Sequence, residues 1–171
     1  MEKNQLIELT KGSLSLGNLI VEPFAVSHDA ADPIGINVFS GNDKATVVTD
    51  TGIISDDILH RIDDSTLLVL EANYDPHMLR FGPYQPFLKQ RVASDEGHLS
   101  NEMAAQALLM MKRPDFMQVI LAHRSENNNN AVLVTQTIGK MLVDGGVRIG
   151  PEMKLQHGQP NEIVSMQSIK R

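Results

Sequence analysis

The chain has 171 residues, 42% of them hydrophobic, and a formal net charge of −6 at pH 7. We expect one globular domain spanning residues 1–171, and the apolar content excludes a disordered chain. The lack of cysteine excludes disulfides and thiolate zinc sites and suits a cytoplasmic protein. No apolar stretch approaches the roughly 20 residues that cross a membrane, and the acidic balance argues against an unaided grip on a long duplex.

Short apolar runs rich in β-branched residues predict buried strands. They cover residues 5–9, 19–26, 35–39, 45–49, 67–71 and 118–122, with two short strands near residues 153–155 and 163–165. Residues 40–43 are expected to close a hairpin. Apolar spacing and capping residues predict helices over residues 56–62, 86–93, 101–111 and 131–143. This order of strands and helices favours an α/β layered fold.

Three residues that suit a metal site directly follow predicted strands. His28 follows the strand at 19–26, Asp50 follows the strand at 45–49, and His123 follows the strand at 118–122. Functional residues collect in the loops at strand ends, and two imidazoles with a carboxylate suit zinc, manganese or iron. Each residue also has a plainer interpretation, because a histidine after a strand can be structural and Asp50 before Thr51-Gly52 can form an Asx turn.

Longer motifs around these residues carry a family resemblance. Six of them occur in order: Val26-Ser27-His28-Asp29-Ala30-Ala31-Asp32-Pro33-Ile34-Gly35, Thr49-Asp50-Thr51-Gly52, Leu70-Glu71-Ala72-Asn73-Tyr74-Asp75, Met78-Leu79-Arg80-Phe81-Gly82-Pro83-Tyr84, Gly97-His98-Leu99-Ser100-Asn101 and Leu121-Ala122-His123-Arg124-Ser125. Over residues 16–142, and more loosely to the end, they resemble the WalJ-type (or VicX-type) branch of the metallo-β-lactamase-fold hydrolases, which are related to tRNase Z.

The resemblance implies an αββα sandwich and a dinuclear centre, with two divalent zinc or manganese ions, that hydrolyses phosphodiesters in nucleic acid. His28 then corresponds to a ligand of one ion, Asp50 to the carboxylate that bridges both, and His123 to a ligand of the second. His98 corresponds to the catalytic histidine that assists the leaving group. A histidine is suited to this because it can donate a proton near neutral pH; its plainer role is to hydrogen-bond the backbone at a helix start.

The chain departs from the family pattern at two points. The signature His-x-His-x-Asp-His is absent, since no two of the six histidines are two residues apart. Tyr74 stands where relatives carry histidine, which puts any role of that position in doubt. We therefore expect the C-terminal half of the sandwich, with weak or partial metal binding, no significant activity alone, and either a homo-oligomer or a separate N-terminal half as partner. The alternative function is a truncated non-catalytic fragment or assembly module.

Overall fold

The computed structural model describes residues 12–159 and 163–164. These residues contain one mixed seven-stranded sheet in which the spatial order of the strands is their chain order. The strands are β1 (Leu14–Leu16), β2 (Leu19–Ala25), β3 (Ile34–Ser40), β4 (Asp43–Val48), β5 (Leu67–Glu71), β6 (Met117–Ala122) and β7 (Met153–His157). The first four strands pair antiparallel, and β4 to β7 are parallel. The α/β expectation is thus confirmed.

Five helices connect or follow these strands. They are α1 (Asp56–Ile62), α2 (Pro76–Phe81), α3 (Pro86–Val92), α4 (Asn101–Met110) and α5 (Ala131–Asp144). Side chains cap four of them at the N-terminus: the oxygens of Ser55, Asp75, Ser100 and Asn130 each accept a hydrogen bond from the backbone N–H three residues later. None of the described helices is long and apolar enough to span a membrane.

The predicted elements agree with the structure except at a few places. The hairpin between β3 and β4 and the four predicted helices are confirmed, while β1 and α2 were not predicted. The strand expected at residues 5–9 lies outside the described residues. The short strand near residues 153–155 is present as β7, whereas Ile163 and Val164 have no regular structure and residue 165 is not described.

The two faces of the sheet differ in how well they are covered. Helices α1, α4 and α5 pack on one face, and the main core includes Leu68, Leu70, Val119 and Leu121 from that side. The other face carries a register-matched row of apolar residues that belong to neither buried cluster. We call this set the open face: Val21, Pro23, Ile36, Val38, Ala45, Val47, Leu67, Val69 and Ile120, all at least partly exposed.

The apolar runs at residues 67–70 and 119–122 expose only every second side chain, because strand side chains alternate between the two faces of the sheet. Leu67, Val69 and Ile120 lie on the open face, whereas the residues between them are buried under the helices. In an αββα sandwich each sheet has helices on its outer face and packs its inner face against the other sheet. A sheet with helices on one face and exposed apolar residues on the other resembles one such layer pair.

Candidate metal centre

The sheet topology brings the ends of four strands to one edge. β4, β5 and β6 are parallel, and β2 runs in the same direction as β4 because each is antiparallel to β3. His28, Asp50 and His123 follow three of these strands, and Glu71 is the last residue of β5. Residues far apart in sequence therefore meet at the carboxyl edge of the sheet.

The four residues expected to form the site lie together. Oδ1 of Asp50 is 3.8 Å from Nε2 of His28 and 3.5 Å from Nε2 of His123. The ring of His98 stands between the two other imidazoles, with centroid distances of 5.1 Å to His28 and 5.2 Å to His123. The central place of Asp50 is the one that a bridging carboxylate needs.

Glu71 is the residue that the sequence analysis did not single out. It is fully buried, and its Oε1 accepts hydrogen bonds from Nδ1 of His98 at 2.8 Å and from Nδ1 of His123 at 2.7 Å. Its Oε2 accepts from the backbone N–H groups of Thr51 and Leu99, both at 3.2 Å. One buried carboxylate thus fixes two imidazoles and the loop that carries Asp50. An acid at the end of a buried strand was the only sequence signal for it.

The hydrogen bonds also settle which ring nitrogens are free. Nδ1 of His28 lies 3.1 Å from the carbonyl oxygen of Gly97. A carbonyl or ionised carboxylate can only accept, so Nδ1 donates in His28, His98 and His123 alike. Their Nε2 atoms are left to act as ligands or as proton carriers. Metal-binding histidines commonly have their second nitrogen held in this way.

The residues present therefore fit a divalent ion. Two groups of three have ligand atoms within 4.8 Å of one another: His28, Asp50 and His98 form the first, and Glu71, His98 and His123 form the second. Imidazole nitrogens and carboxylate oxygens are the donors that zinc and manganese accept. His98 belongs to both groups because it lies between the other two histidines.

Two of these residues have a backbone conformation that L-amino acids rarely adopt. The φ angle is 57° at Asp50 and 52° at His123. Such positions cost free energy and persist where surrounding contacts hold them. The amide of Asn73 donates to the carbonyl of His123 at 2.8 Å, and the hydroxyl of Thr51 accepts from the N–H of Ser27 at 3.3 Å and donates to the carbonyl of Ile53 at 2.9 Å. The strained loops are thus tied to their neighbours.

Two glycines allow the loops to approach each other closely. A Cβ on Gly97 would lie 2.3 Å from the carbonyl oxygen of Arg91 and 2.4 Å from that of Val92. A Cβ on Gly52 would lie 2.2 Å from the carbonyl oxygen of Ser94. Both clashes are with backbone, so neither position has room for a side chain.

The buried ion pair perturbs the pKa of both partners. Burial by itself would raise the pKa of Glu71, but the hydrogen bonds from His123 and His98 outweigh it and hold that pKa below the ordinary value. The hydrogen bond from Glu71 raises the pKa of His123, against the opposing effect of burial. Glu71 is therefore ionised at neutral pH and acts as a fixed negative charge behind the imidazoles.

The neighbouring residues have structural roles. Asp29 accepts from the guanidinium of Arg91, with an Nη2 to Oδ1 distance of 3.0 Å, and this pair links the loop after β2 to α3. Asp75 caps α2 by accepting from the N–H of Met78 at 2.8 Å. Tyr74 is buried in a small apolar cluster with Leu79 and Val92. 

The remaining histidines lie apart from the centre. His60 is exposed on α1 and lies 3.5 Å from Asp63, as expected for a solvated helix face. His77 is exposed and packs its ring against Phe81. Nε2 of His157, at the end of β7, lies 2.8 Å from the hydroxyl oxygen of Thr135. None of the three belongs to a group of potential ligands among residues 12–159 and 163–164.

Solved structures with a similar fold share little sequence with this chain. The metallo-β-lactamase fold protein YhfI from Bacillus subtilis superposes with a TM-score of 0.57 at 14% identity, covering 85% of this chain and 50% of that one. Zn²⁺-bound PqqB from Methylobacterium extorquens superposes with a TM-score of 0.57 at 17% identity, and the match covers 90% of this chain and 50% of that one. The short form of human tRNase Z superposes with a TM-score of 0.50 at 20% identity, and the match covers 68% of this chain and 40% of that one. These likenesses establish the fold.

Sequence comparison gives nearer relatives. Exodeoxyribonuclease YycJ of Bacillus anthracis is 34% identical over 155 residues, which are 91% of this chain and 59% of the relative. Exodeoxyribonuclease WalJ of Streptococcus pneumoniae serotype 2 is 32% identical over 155 residues, which are 91% of this chain and 58% of the relative. The chain thus spans about three fifths of the length of these curated relatives. Residues 2–123 match the family profile of the beta-lactamase superfamily domain. The chain therefore belongs to the beta-lactamase superfamily, has the metallo-β-lactamase-like fold, and resembles exodeoxyribonucleases of the YycJ and WalJ type.

Proposed function

We propose that this chain supplies half of the active site of a metal-dependent phosphodiesterase that removes nucleotides from the ends of DNA. The observation that carries the proposal is the clustering of three imidazoles around two carboxylates. Nε2 of His28 and of His123 face Asp50, while Nδ1 of His98 and of His123 donate to Glu71. The two relatives named as exodeoxyribonucleases support DNA as the substrate. We place the protein in the cytoplasm, as its lack of cysteine suggests.

In this proposal His28 and Asp50 would hold one divalent ion, and Asp50 and His123 would hold the second. Bound zinc or manganese ions acidify a water, orient the phosphate and neutralise charge on the leaving oxygen. The protein residues contribute the geometry: the loops of Asp50 and His123 are held in strained conformations by Thr51 and Asn73. Each ion receives about two protein ligands from this chain, against three or four in stable zinc sites.

His98 is proposed to carry the proton for the leaving group. Its Nδ1 donates to the buried Glu71, whose pKa lies below the ordinary value, and this bond fixes the direction of the ring. Its side chain is 19% exposed, so Nε2 can reach a bound substrate while the rest of the ring stays fixed. A protonated imidazole beside a developing alkoxide lowers the barrier by donating a proton in the transition state.

Metal analysis and activity assays test this function together. After dialysis against a mild chelator we expect less than one ion per chain, because the ligand set from this chain is incomplete. We expect no significant manganese-dependent nuclease activity from the chain alone, and partial activity when the N-terminal half of a close relative is added. His98→Ala should then lower the restored rate far more than substrate binding. Retention of two ions, or cleavage by the chain alone that Asp50→Ala abolishes, would show that the site is already complete.

A non-catalytic assembly module is the second candidate, and the open face favours it. Nine apolar residues in register across five strands are at least partly exposed. Surfaces of this kind mark protein contacts. The partner is proposed to be a second copy of the chain or a separate N-terminal half. If the chain is such a module, it should form a complex with the N-terminal half of a close relative, and that complex should not cleave DNA in the presence of zinc or manganese.

A further inference from the structure

One stretch beside the metal centre has a composition unlike the rest of the chain. Residues 76–92 contain no aspartate or glutamate, so their three cations give +3 in a chain of net charge −6. The stretch also holds three of the seven aromatic residues, counting five Phe and two Tyr in all. We call it the aromatic-basic hairpin, made of α2, α3 and their connection; its cations are Arg80, Lys89 and Arg91, and its aromatic residues are Phe81, Tyr84 and Phe87.

The rings of this hairpin are exposed although the hairpin itself is fixed. Phe81 is 67% exposed and Phe87 is 71% exposed, and leaving large apolar rings in water is unfavourable. Tyr84 is half-buried and packs with Leu88 against the small core around Tyr74. Nζ of Lys89 donates to the carbonyl of Arg80 at 2.8 Å and joins the two helices. The exposed rings are therefore held in place by an ordered support.

The hairpin forms one wall of a cleft that reaches the metal centre. Its side of the cleft consists of Tyr84, Leu88, Arg91 and Val92, and the facing side includes His98, His123 and Arg124. The cavity measures about 380 Å³, within the range of small-molecule sites. Arg124 has no ion-pair partner among the described residues. The cleft thus offers a cation for a phosphate beside the two histidines.

We propose that the aromatic-basic hairpin is a binding platform for single-stranded nucleic acid, which it guides into the cleft with the terminal nucleotide beside His98 and His123. The rings of Phe81 and Phe87 stack on unpaired bases, while Arg80 and Arg124 contact phosphates. Stacking on exposed aromatic rings next to cations is how single strands are held without sequence preference. The guanidinium of Arg80 already lies 5.3 Å from the centre of the Phe81 ring, so ring and cation present one joint surface.

A single strand fits this surface better than a duplex. Bases in a duplex are stacked on each other and hide their faces, whereas binding a duplex through phosphates needs a wide basic surface. The chain as a whole is acidic, and the positive charge of the hairpin is confined to 17 residues. This proposal rests on the proposed function and names the form in which the substrate is bound.

The binding test uses the 171-residue chain in EDTA with a fluorescein-labelled single-stranded oligothymidine. We expect the double variant F81A/F87A to weaken binding at least about tenfold, because stacking contributes about 1–3 kcal/mol per base. The conservative variant F81Y/F87Y should retain binding. Met110→Ala and Val132→Ala are matched controls, since these side chains are 67% and 62% exposed on other helices, and they should change nothing.

Salt dependence tests the phosphate contacts separately. Arg80→Gln and Arg124→Gln should each lower the slope of log K against log salt by about 0.7, the value for one single-strand phosphate. Lys140→Gln, at an exposed cation of α5, should leave the slope unchanged. Because the assay contains no metal, it reports on the platform whether or not the chain cleaves DNA, and a loss of cleavage with intact binding would count against the proposed function alone.

Three results would overturn the platform. The first is that F81A/F87A binds the single strand as tightly as the unmodified chain. The second is that an equal concentration of blunt duplex competes as well as the unlabelled single strand. The third is that F81A/F87A abolishes self-association in sedimentation while leaving oligothymidine binding intact, which would make the exposed rings a protein interface.

Discussion

The carboxylate of Glu71 accepts a hydrogen bond of 2.7 Å from Nδ1 of His123, although Glu71 is fully buried and the side chain of His123 is 41% exposed. The pair joins the protected interior of the sheet edge to a group that faces solvent. Because Nδ1 is held from behind, the free nitrogen of His123 has a fixed direction. Glu71 thus fixes the orientation of His123, one of the proposed metal ligands.

Glu71→Gln should impair both folding and metal binding. A glutamine has one acceptor oxygen, so its NH₂ group must face either the two imidazole donors or the N–H groups of Thr51 and Leu99. We expect the free energy of unfolding to fall by about 1–3 kcal/mol, the cost of leaving buried groups unpaired. Loss of such an outer carboxylate should also weaken zinc affinity by about 10–100-fold.

Urea denaturation and zinc competition titrations measure the two effects of Glu71→Gln. The matched control is Glu126→Gln, because Glu126 is an exposed acid at the rim of the cleft. That control should change unfolding by no more than about 0.5 kcal/mol, as is usual for surface substitutions. Equal zinc affinity for both variants would show that Glu71 does not orient the ligands.

Gly97→Ala tests whether the close approach of the loops holds the site. The new Cβ would meet the carbonyl oxygens of Arg91 and Val92, which are backbone atoms that cannot rotate away. The loop must shift, and with it the carbonyl that holds His28 and the ring of His98. We expect a loss of about 2 kcal/mol or more in stability, by the strain of an overpacked site, together with weaker zinc binding.

Gly139→Ala is the opposite control for that substitution. Gly139 lies within α5, and the nearest atom to an added Cβ is 3.9 Å away. Alanine is favoured over glycine in a helix interior by about 0.5–1 kcal/mol. The prediction is therefore a gain in the urea midpoint for Gly139→Ala and a loss for Gly97→Ala. A loss of the same size in both variants would contradict the steric argument.

The strand ends could be predicted because their signal is local. Leu67–Glu71 and Met117–Ala122 are apolar runs, and Ser100 stands before the regular apolar spacing of α4. These features place His28, Asp50 and His123 at the end of strands from sequence alone. The shared edge then follows from the parallel order of the strands.

The partners of Glu71 could not be predicted in the same way. They lie 27 and 52 residues away along the chain, and no local pattern reports such a distance. Helix α2 was not predicted because it has only six residues, too few to show helical spacing; its local signal is Asp75 as N-cap with proline at the first helical position. The positive φ angles of Asp50 and His123 leave no trace in residue type, since neither is glycine.

The lowered pKa of His157 predicts that this residue makes the chain less stable in mild acid. Burial, together with the nearby charge of Arg124, lowers the pKa of His157 below its unfolded value of 6.5. The unfolded chain then binds more protons at this histidine, so the contribution of His157 is complete above about pH 6.5 and is lost as the pH drops below it. The raised pKa of His123 acts in the opposite direction, because its contribution to stability is lost as the pH rises above 6.5. The depressed pKa of Glu71 acts in a separate window, because its contribution is lost only as the pH falls below its unfolded value of 4.5.

Thermal denaturation in EDTA between pH 5 and pH 8 measures this dependence. His157→Gln keeps a polar group near Thr135 and removes the titration. Between pH 7 and pH 5.5 its melting temperature should fall less, or rise more, than that of the unmodified chain, because the destabilising titration of His157 has been removed. His60→Gln, at an exposed position, should leave the variation unchanged. An unaltered pH dependence in His157→Gln would show that another group is responsible.

The open face predicts self-association of the chain on its own. Val47 lies at its centre, between Ile36 of β3 and Val69 of β5, and is 39% exposed. Covering such side chains gains roughly 25 cal/mol per Å² of apolar area, so a second copy of the chain should pack against the sheet. A lysine there would have to be buried without a partner in that contact.

Val47→Lys should therefore shift the chain towards monomer in sedimentation at micromolar concentration, and Val132→Lys is its control. Val132 is a valine of α5 that is 62% exposed, so lysine there alters the charge equally without touching the sheet. Adding the N-terminal half of a close relative should have the same effect as Val47→Lys on the homo-oligomer, because both remove the open face from contact between copies. A compact monomer for the unmodified chain, with no binding of a hydrophobic dye, would instead mean that the open face is already covered within the chain.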